Sequence, residues 1–255
     1  MSFVDKREVF PMPKPPRFFI TPDQVQGKQI TVSGEDHRHI RTVLRKQPGD
    51  MLMLSDGQGT EYITRIIRSD RSGITAEITE RSTREIRYPR ITLGQGLPKS
   101  DKMDWIVQKA TELGVAKIVP LMTERTIVKV KDEEKRIARW QRICREAAMQ
   151  SARPDISQVG PITSFHDFVM TPAREPKTLL LLPWEEGTEP IKNVLRNNPE
   201  VQHIVAIIGP EGGLSEAEAR SAEQQGFSTV SLGPSILRSE TAAVAVLSMV
   251  VYEYL

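Results

Sequence analysis

Three glycine-bearing loops carry most of the chemistry that this 255-residue chain offers. They are Leu182-Pro183-Trp184-Glu185-Glu186-Gly187, Gly209-Pro210-Glu211-Gly212-Gly213 and Gly233-Pro234-Ser235-Ile236-Leu237-Arg238-Ser239-Glu240, each placed after a predicted strand. Glycines let a backbone approach a ligand closely and offer its N–H and C=O groups, while Leu and Ile side chains sandwich the faces of a planar base. That combination suits adenine better than phosphate. Tight turns and helix caps use the same residues, so one such loop decides little, but three in one half of the chain point to a single ligand touching all of them. Arg238 reads in two ways: as a surface arginine, or as a permanently charged fork beside Ile236 and Leu237 that holds a phosphate or a developing oxyanion. It cannot be a general base. Glu211 and Glu240 can, although Glu240 lies where a helix N-terminus stabilises any carboxylate, which makes capping its first reading.

Other chemistries lack their residues. There is no Walker loop, and Gly94-Gln95-Gly96 is missing the third glycine of a dinucleotide fingerprint. His37 and His39 alternate in a polar segment without partners at metal spacing, and His166 and His203 add none, so no metal is expected. Cys144, the single cysteine, falls on an apolar helix stripe as a small core residue and cannot form an intramolecular disulfide, which fits a reducing cytoplasm. The start, MSFVDKREVFPMPKPPRFFI, mixes charges and prolines where a signal peptide needs an apolar stretch. The longest apolar run, Thr241 to Leu255, is too short and interrupted to span a bilayer, so neither secretion nor membrane insertion is expected. The composition, 38% hydrophobic and 27% charged, is that of a globular protein. Its net charge of +2 conceals a gradient: residues 1–177 carry 31 Lys and Arg against 23 Asp and Glu, and residues 178–255 carry 4 against 10. A basic front suits a polyanionic partner such as RNA, and a solvated surface equally well.

The elements that must position these loops follow from periodicity. Apolar and β-branched runs at Phe18–Ile20, Ile30–Val32, Met51–Leu54, Tyr62–Ile67 and Ile74–Ile78, separated by turn clusters, predict a small barrel with one helix around His37–Leu44. The arginine-rich stretch Arg81–Arg90 reads as a linker, with the boundary near residue 88. Beyond it, strands at Ile91–Leu97, Lys117–Leu121, Thr178–Leu182, His203–Ile208 and Thr229–Leu232 alternate with helices at Asp101–Leu113, Glu133–Ser151, from Ser215, and Thr241–Tyr254. Ser215 and Glu218 are spaced as a capping box. Helix 133–151 has a core stripe (Ile137, Trp140, Cys144, Ala147, Ala148) and a cationic flank (Arg136, Arg139, Arg142, Arg145). The alternation predicts an α/β domain with a largely parallel sheet, whose ligands bind at the carboxyl ends of the strands.

Taken in order, the segments HIRTVLR (His39–Arg45) followed by Gly49-Asp50, KSDKMDWIVQKATELG (Lys99–Gly114), WQRICREAAMQSAR (Trp140–Arg153), IGPEGGLSE (Ile208–Glu216) and SLGPSILRSETAA (Ser231–Ala243) closely resemble the RsmE-type family, the bacterial 16S ribosomal RNA uridine-N3 methyltransferases of the SPOUT superfamily. The resemblance runs from about Arg17 to the C-terminus. Residues 1–16 fall outside it and read as a disordered extension. The resemblance implies a PUA-like β-barrel that holds RNA over 17–88, and a SPOUT α/β trefoil-knot methyltransferase domain over 89–255. Periodicity alone would draw an unknotted sheet. It also implies a homodimer acting on 16S rRNA or the small ribosomal subunit, with S-adenosylmethionine as methyl donor and no metal, since the sulfonium already carries its leaving group.

By the same resemblance, Leu182, Pro183, Gly209, Glu211, Gly212, Leu232, Ile236, Leu237 and Ala242 would contact the cofactor. Arg17 and Arg45 in the barrel, with Lys99, Lys102, Gln150 and Arg153 on the approach to the cleft, would contact RNA. Arg238 would stabilise charge on the uracil, with Glu240 or solvent taking the N3 proton. Ribose 2′-O methylation and a catalytically silent RNA-binding factor remain alternatives. The sequence departs from the family pattern at Ser100, where glycine is expected after Lys99, and at Ser235, near which a basic residue is expected.

Overall fold

The structure, a computed structural model, describes residues 15–83, 88–99, 101–128, 131–171 and 176–255. Most of the expected 1–16 extension, the middle of the expected linker and Ser100 lie outside the described residues. The chain divides between residues 83 and 84 into two compact units.

The first unit is built on a six-stranded sheet. Its strands are β1 (Arg17–Phe19), β2 (Val25–Gln26), β3 (Gln29–Val32), β4 (Met51–Ser55), β5 (Thr60–Ser69) and β6 (Ile74–Thr83), in the order β1-β4-β5-β6-β3-β2. The β1–β4 pair is parallel and the others antiparallel. Alternation places Ile30, Val32, Leu52, Leu54, Tyr62, Ile66, Ile74 and Ala76 inside, as the period-2 pattern requires. The predicted helix starts earlier, as α1 (Gly34–Arg38), and continues into a π-helical turn, His39–Val43, that buries Ile40. Arg45 follows with φ of 53°, a left-handed helix terminus more often filled by glycine. One expectation fails: residues 81–83 belong to β6 rather than to a linker, because their backbone pairs with residues 60–62 of β5. The Arg81 guanidinium also lies 5.7 Å from the centroid of the Tyr62 ring. A ladder partner decides strand formation where no apolar pattern announces it.

The second unit is a parallel sheet covered on both faces. Its strands β7 (Arg90–Gly96), β8 (Lys117–Met122), β10 (Thr163–Ser164), β11 (Thr178–Pro183), β12 (His203–Ile208) and β13 (Ser228–Val230) stand in the order β10-β8-β7-β12-β11-β13, with β9 (Gln158–Val159) also on β8. Every pairing is parallel. Strand β12 is central and buried over all six residues, the reading of a near-continuous apolar run covered on both sides. Its Ile204, Ala206 and Ile208 face a cluster with helices α2 (Lys102–Glu112), α3 (Glu133–Gln150), α5 (Ile191–Arg196) and α7 (Ser239–Tyr254). Val205 and Ile207 face a second cluster formed with α4 (Phe165–Met170) and α6 (Glu216–Gln224). The short elements β9, β10, α4 and α5 had no sequence signal long enough to show periodicity. Helix α2 ends at Gly114, whose φ of +93° only glycine adopts without strain. Helix α7 begins two residues before the prediction, with Arg238 as its N-cap. Cys144 is buried in the core, which pushes its thiol up to about 11 and keeps it unreactive. His203 is also a core residue, its Nε2 3.0 Å from Thr92 Oγ1.

Gly94 on β7 is a packing glycine: a Cβ there would stand 2.7 Å from the Phe168 ring of α4. Gly94→Ala should therefore cost about 1–3 kcal/mol in chemical denaturation, the usual cost of overpacking, and less when combined with Phe168→Leu.

Candidate functional site

Because the sheet is parallel, the carboxyl ends of β11, β12 and β13 share one edge, and the loops leaving them enclose a cavity of about 420 Å³. That is the size of a small-molecule site. Pro183, Trp184 and Glu185 form one wall, Gly209, Pro210, Glu211, Gly213 and Leu214 a second, and Ser231 through Ser239 a third, with Lys102 and Ala242 closing the space. Apolar Leu232, Ile236 and Leu237 alternate with exposed backbone along the third wall. Gly233 turns there with φ of +129°, a conformation strained for any other residue.

The loop 209–213 is held from several sides. A Cβ on Gly96 would fall 2.6 Å from Pro210 N, so this loop rests directly on the end of β7. Ser239 Oγ donates to the Gly209 carbonyl at 2.5 Å, and Arg125 Nη1 donates to the Gly212 carbonyl at 2.8 Å. The predicted capping box closes at the start of α6, with Ser215 N–H donating to Glu218 at 2.9 Å and Glu218 N–H to Ser215 Oγ at 3.2 Å. Glu218 also accepts from the Glu124 N–H at 2.8 Å, which ties in the loop after β8.

Charge is arranged unevenly around the cavity. Both oxygens of Glu211 accept from the Lys99 N–H, at 3.1 and 3.2 Å, and Lys102 Nζ lies 3.1 Å from Glu211 and 3.4 Å from Glu240. Partial burial works against the charge on Glu211, but hydrogen bonds from its own backbone, Lys102 and Lys99 outweigh it and hold the carboxyl below its usual range. The hydrogen bond to Glu211 raises the Lys102 ammonium correspondingly. Arg238, by contrast, lines the cavity and is exposed; its carbonyl accepts from the Ala242 N–H at 2.8 Å, but its guanidinium has no hydrogen-bond or ion-pair partner among the described residues.

The structure brings together Pro183, Gly209, Glu211, Leu232, Ile236, Leu237, Ala242, Lys102 and Arg238 from the sequence expectation. It sends others elsewhere. Leu182 is fully buried in the α4–α6 face, because neighbours on a strand point to opposite sides and Pro183 takes the cavity side; Trp184, past the end of β11, lines the cavity as well. Gly212 turns toward Arg125 and does not line the cavity. Glu240 does not line it either: one oxygen faces Lys102 and the other is buried without a partner. Arg153 is buried and committed to Asp155 and the Thr111 carbonyl, and Arg17 is paired with Glu61, so both guanidinium groups serve the fold rather than an open RNA surface. Arg45, Lys99 and Gln150 are exposed, the last two outside the cavity lining. Sequence reasoning missed Arg125 and Gln95. Gln95 had one usable signal, a polar residue continuing the Ile91–Leu93 core face. Among the described residues no three His, Cys, Asp or Glu side chains gather as a metal site, and no helix is long and apolar enough to cross a membrane.

The comparisons with known proteins agree with this geometry. Residues 84–251 match the RNA methyltransferase domain, and residues 32–79 match the RNA methyltransferase PUA domain. The chain belongs to the RNA methyltransferase family those models define. It is 31% identical to ribosomal RNA small subunit methyltransferase E of Bacillus subtilis (strain 168), over 93% of this chain and 96% of that protein. With the protein of the same name from Synechocystis sp. (strain ATCC 27184 / PCC 6803 / Kazusa) it shares 34% identity, over 92% of this chain and 76% of the relative. Its fold superposes on the crystal structure of a ribosomal RNA small subunit methyltransferase E from Neisseria gonorrhoeae bound to S-adenosyl methionine with a TM-score of 0.81, at 32% identity, covering 92% of this chain and 95% of that one.

The lowered Glu211 carboxyl fixes the sign of a pH effect. Its contribution to stability is full above the ordinary carboxylate value and is lost as pH falls through the lowered folded-state value. Glu211→Gln should therefore be less stable than the parent at neutral pH, and the two melting temperatures should converge in acid; a constant gap down to acid unfolding would contradict a stabilising role for the Glu211 contacts to Lys99 and Lys102.

Proposed function

We propose that this chain transfers the methyl group of S-adenosylmethionine to N3 of a uridine in the 16S ribosomal RNA of the small ribosomal subunit. The observation that carries the reading is the cavity itself, in which three loops offer backbone polar groups and the Leu232, Ile236 and Leu237 side chains while Arg238 stands at the wall with its guanidinium unengaged. The names of the relatives and the donor bound in the Neisseria gonorrhoeae structure support the same substrate and cofactor. The residues fit the donor: glycine backbone and apolar side chains suit its adenine, and Glu185 and Glu211 bring negative charge to a positively charged sulfur compound.

When bound, the donor supplies an electrophilic methyl whose carbon–sulfur bond breaks as the bond to N3 forms, both electrons going to sulfur. A neutral imide nitrogen is a poor nucleophile until its proton leaves, and negative charge then spreads onto O2 and O4 of the base. The Arg238 fork is suited to hold those oxygens, because it stays charged at every working pH and begins the reaction without a partner to leave. Glu211 cannot take the proton while its oxygens are held by Lys99 and Lys102, and Glu240 is turned to Lys102. Solvent is therefore the acceptor in this reading.

The same reading includes a PUA-like unit over 17–88 that holds RNA and a methyltransferase unit over 89–255 whose chain after Ile208 forms a trefoil knot. It also includes a homodimer with the sites near the subunit interface, working in the cytoplasm. Exposed Trp105, Tyr252 and Leu255 on the adjoining helices α2 and α7 and at the end of the chain support a second copy covering that side.

Mass spectrometry of small-subunit RNA from cells with and without the protein should show one methyl group on a uracil ring appear and disappear. A methyl that stays with the ribose after base removal would assign 2′-O transfer instead. Binding of RNA without heat on S-adenosylmethionine titration would assign a silent factor. Arg238→Ala should lower the transfer rate by about 100-fold or more while donor affinity stays within a few-fold, and an unchanged rate would reject its role.

A further inference from the structure

We propose that Gln95 and Ser239 form a buried positioning pair that sets where Arg238 stands relative to the loop 209–213. The inference rests on the methyltransferase reading above for its catalytic consequence, and on geometry alone for the linkage. Gln95 is fully buried on β7, on the face that continues Ile91 and Leu93 toward α7. A polar side chain replaces an apolar one there, at the carboxyl end of a central strand, and its burial is costly unless hydrogen bonds compensate.

Those bonds reach across the site. Gln95 Nε2 donates to Ser239 Oγ at 2.9 Å and to the Gly96 carbonyl at 3.0 Å, and Ser239 Oγ donates onward to the Gly209 carbonyl at 2.5 Å. The direction of this relay is fixed. Ser239 spends its single proton on a carbonyl that can only accept, so the amide must present its NH₂ group to the hydroxyl, and the Gly96 carbonyl demands the same orientation. Turned over, the amide oxygen would face two acceptors. Gln95 Oε1 is buried with no partner, so the donor side alone holds the amide.

The relay ties the first residue of α7 to two segments that already meet at Gly96 and Pro210, the end of strand β7 and the loop after β12. Ser239 directly follows the N-cap Arg238, so pinning its hydroxyl fixes the point from which the Arg238 side chain departs. Gly209 and Ser239 both line the cavity, and their hydrogen bond joins the loop 209–213 to the segment 231–239. The pair thus sets the offset between the wall that would hold the methyl donor and the cation that would hold the base. Neither residue needs to touch the reacting atoms; an error of about 1 Å in such an offset costs on the order of 100-fold in rate.

The test uses Gln95→Met, which keeps volume and an unbranched stem without the donors, together with Ser239→Ala and the double variant. Amide hydrogen exchange is the first readout and requires no activity. Protection of 209–213 and of 239–242 should fall in both single variants, by similar amounts, with β7 and β12 unchanged. Steady-state kinetics on small-subunit RNA is the second. Each single variant should lose about 10- to 100-fold in kcat with KM for the donor within about 3-fold, and the double variant should be no worse than the weaker single. Unchanged exchange in the two segments would overturn the proposal, as would independent losses that multiply in the double variant. Wild-type rates in folded variants would also overturn it. A wild-type protein that transfers no methyl group would instead defeat the underlying reading, and the exchange readout would then decide the pair by itself.

Discussion

The site depends on a close approach: the backbone of Pro210 lies against Gly96 where a single added carbon would collide. That contact brings the end of β12 onto the end of β7 and turns the loop 209–213 across the sheet edge instead of out into solvent. Close approach of two backbones leaves polar groups that must be satisfied locally. The Gly209 carbonyl is met by Ser239, the Gly212 carbonyl by Arg125, and the Glu211 carboxylate by Lys99 and Lys102. Each bond comes from a different element, so the loop is fixed by the tertiary structure around it.

Charge pairing then separates structural ions from available ones. Lys102 is flanked by two carboxylates, Arg153 by Asp155, Arg139 by Asp104 and Arg17 by Glu61. An arginine held in such a pair must give up one partner to gain another, and the exchange gains little. Arg238 faces no such exchange. Its position as the N-cap of α7 also keeps the side chain at the mouth of a helix whose inner residues Ala243, Val246, Leu247 and Val250 are locked in the core. A permanently charged group whose backbone is fixed by the core is what the proposed stabilisation of transient negative charge would use.

In the first unit the helical segment ends in a π-turn and a left-handed Arg45, which points that side chain outward while Ile40 anchors the segment beneath it. Arg41 is tied to the Asp70 carbonyl at 3.2 Å, so the basic segment is braced against the β5–β6 hairpin.

The long elements and the loops that carry the site were legible in the amino-acid order, because hydrophobic period, glycine placement and capping spacing are local properties. Strand β12 and helices α2 and α3 lie within a residue of their predicted bounds, the Ser215–Glu218 box closes as spaced, and the three quoted loops do converge. Tertiary structure alone decided which residues within those loops face the cavity. Leu182 and Pro183 are neighbours in the chain, yet strand alternation buries one in the core and turns the other to the cavity. Lys102 reads as any surface lysine in the sequence, and only packing brings Glu211 and Glu240 to it. Gln95 and Ser239 are 144 residues apart, and no local pattern can show that one hydrogen bond joins them.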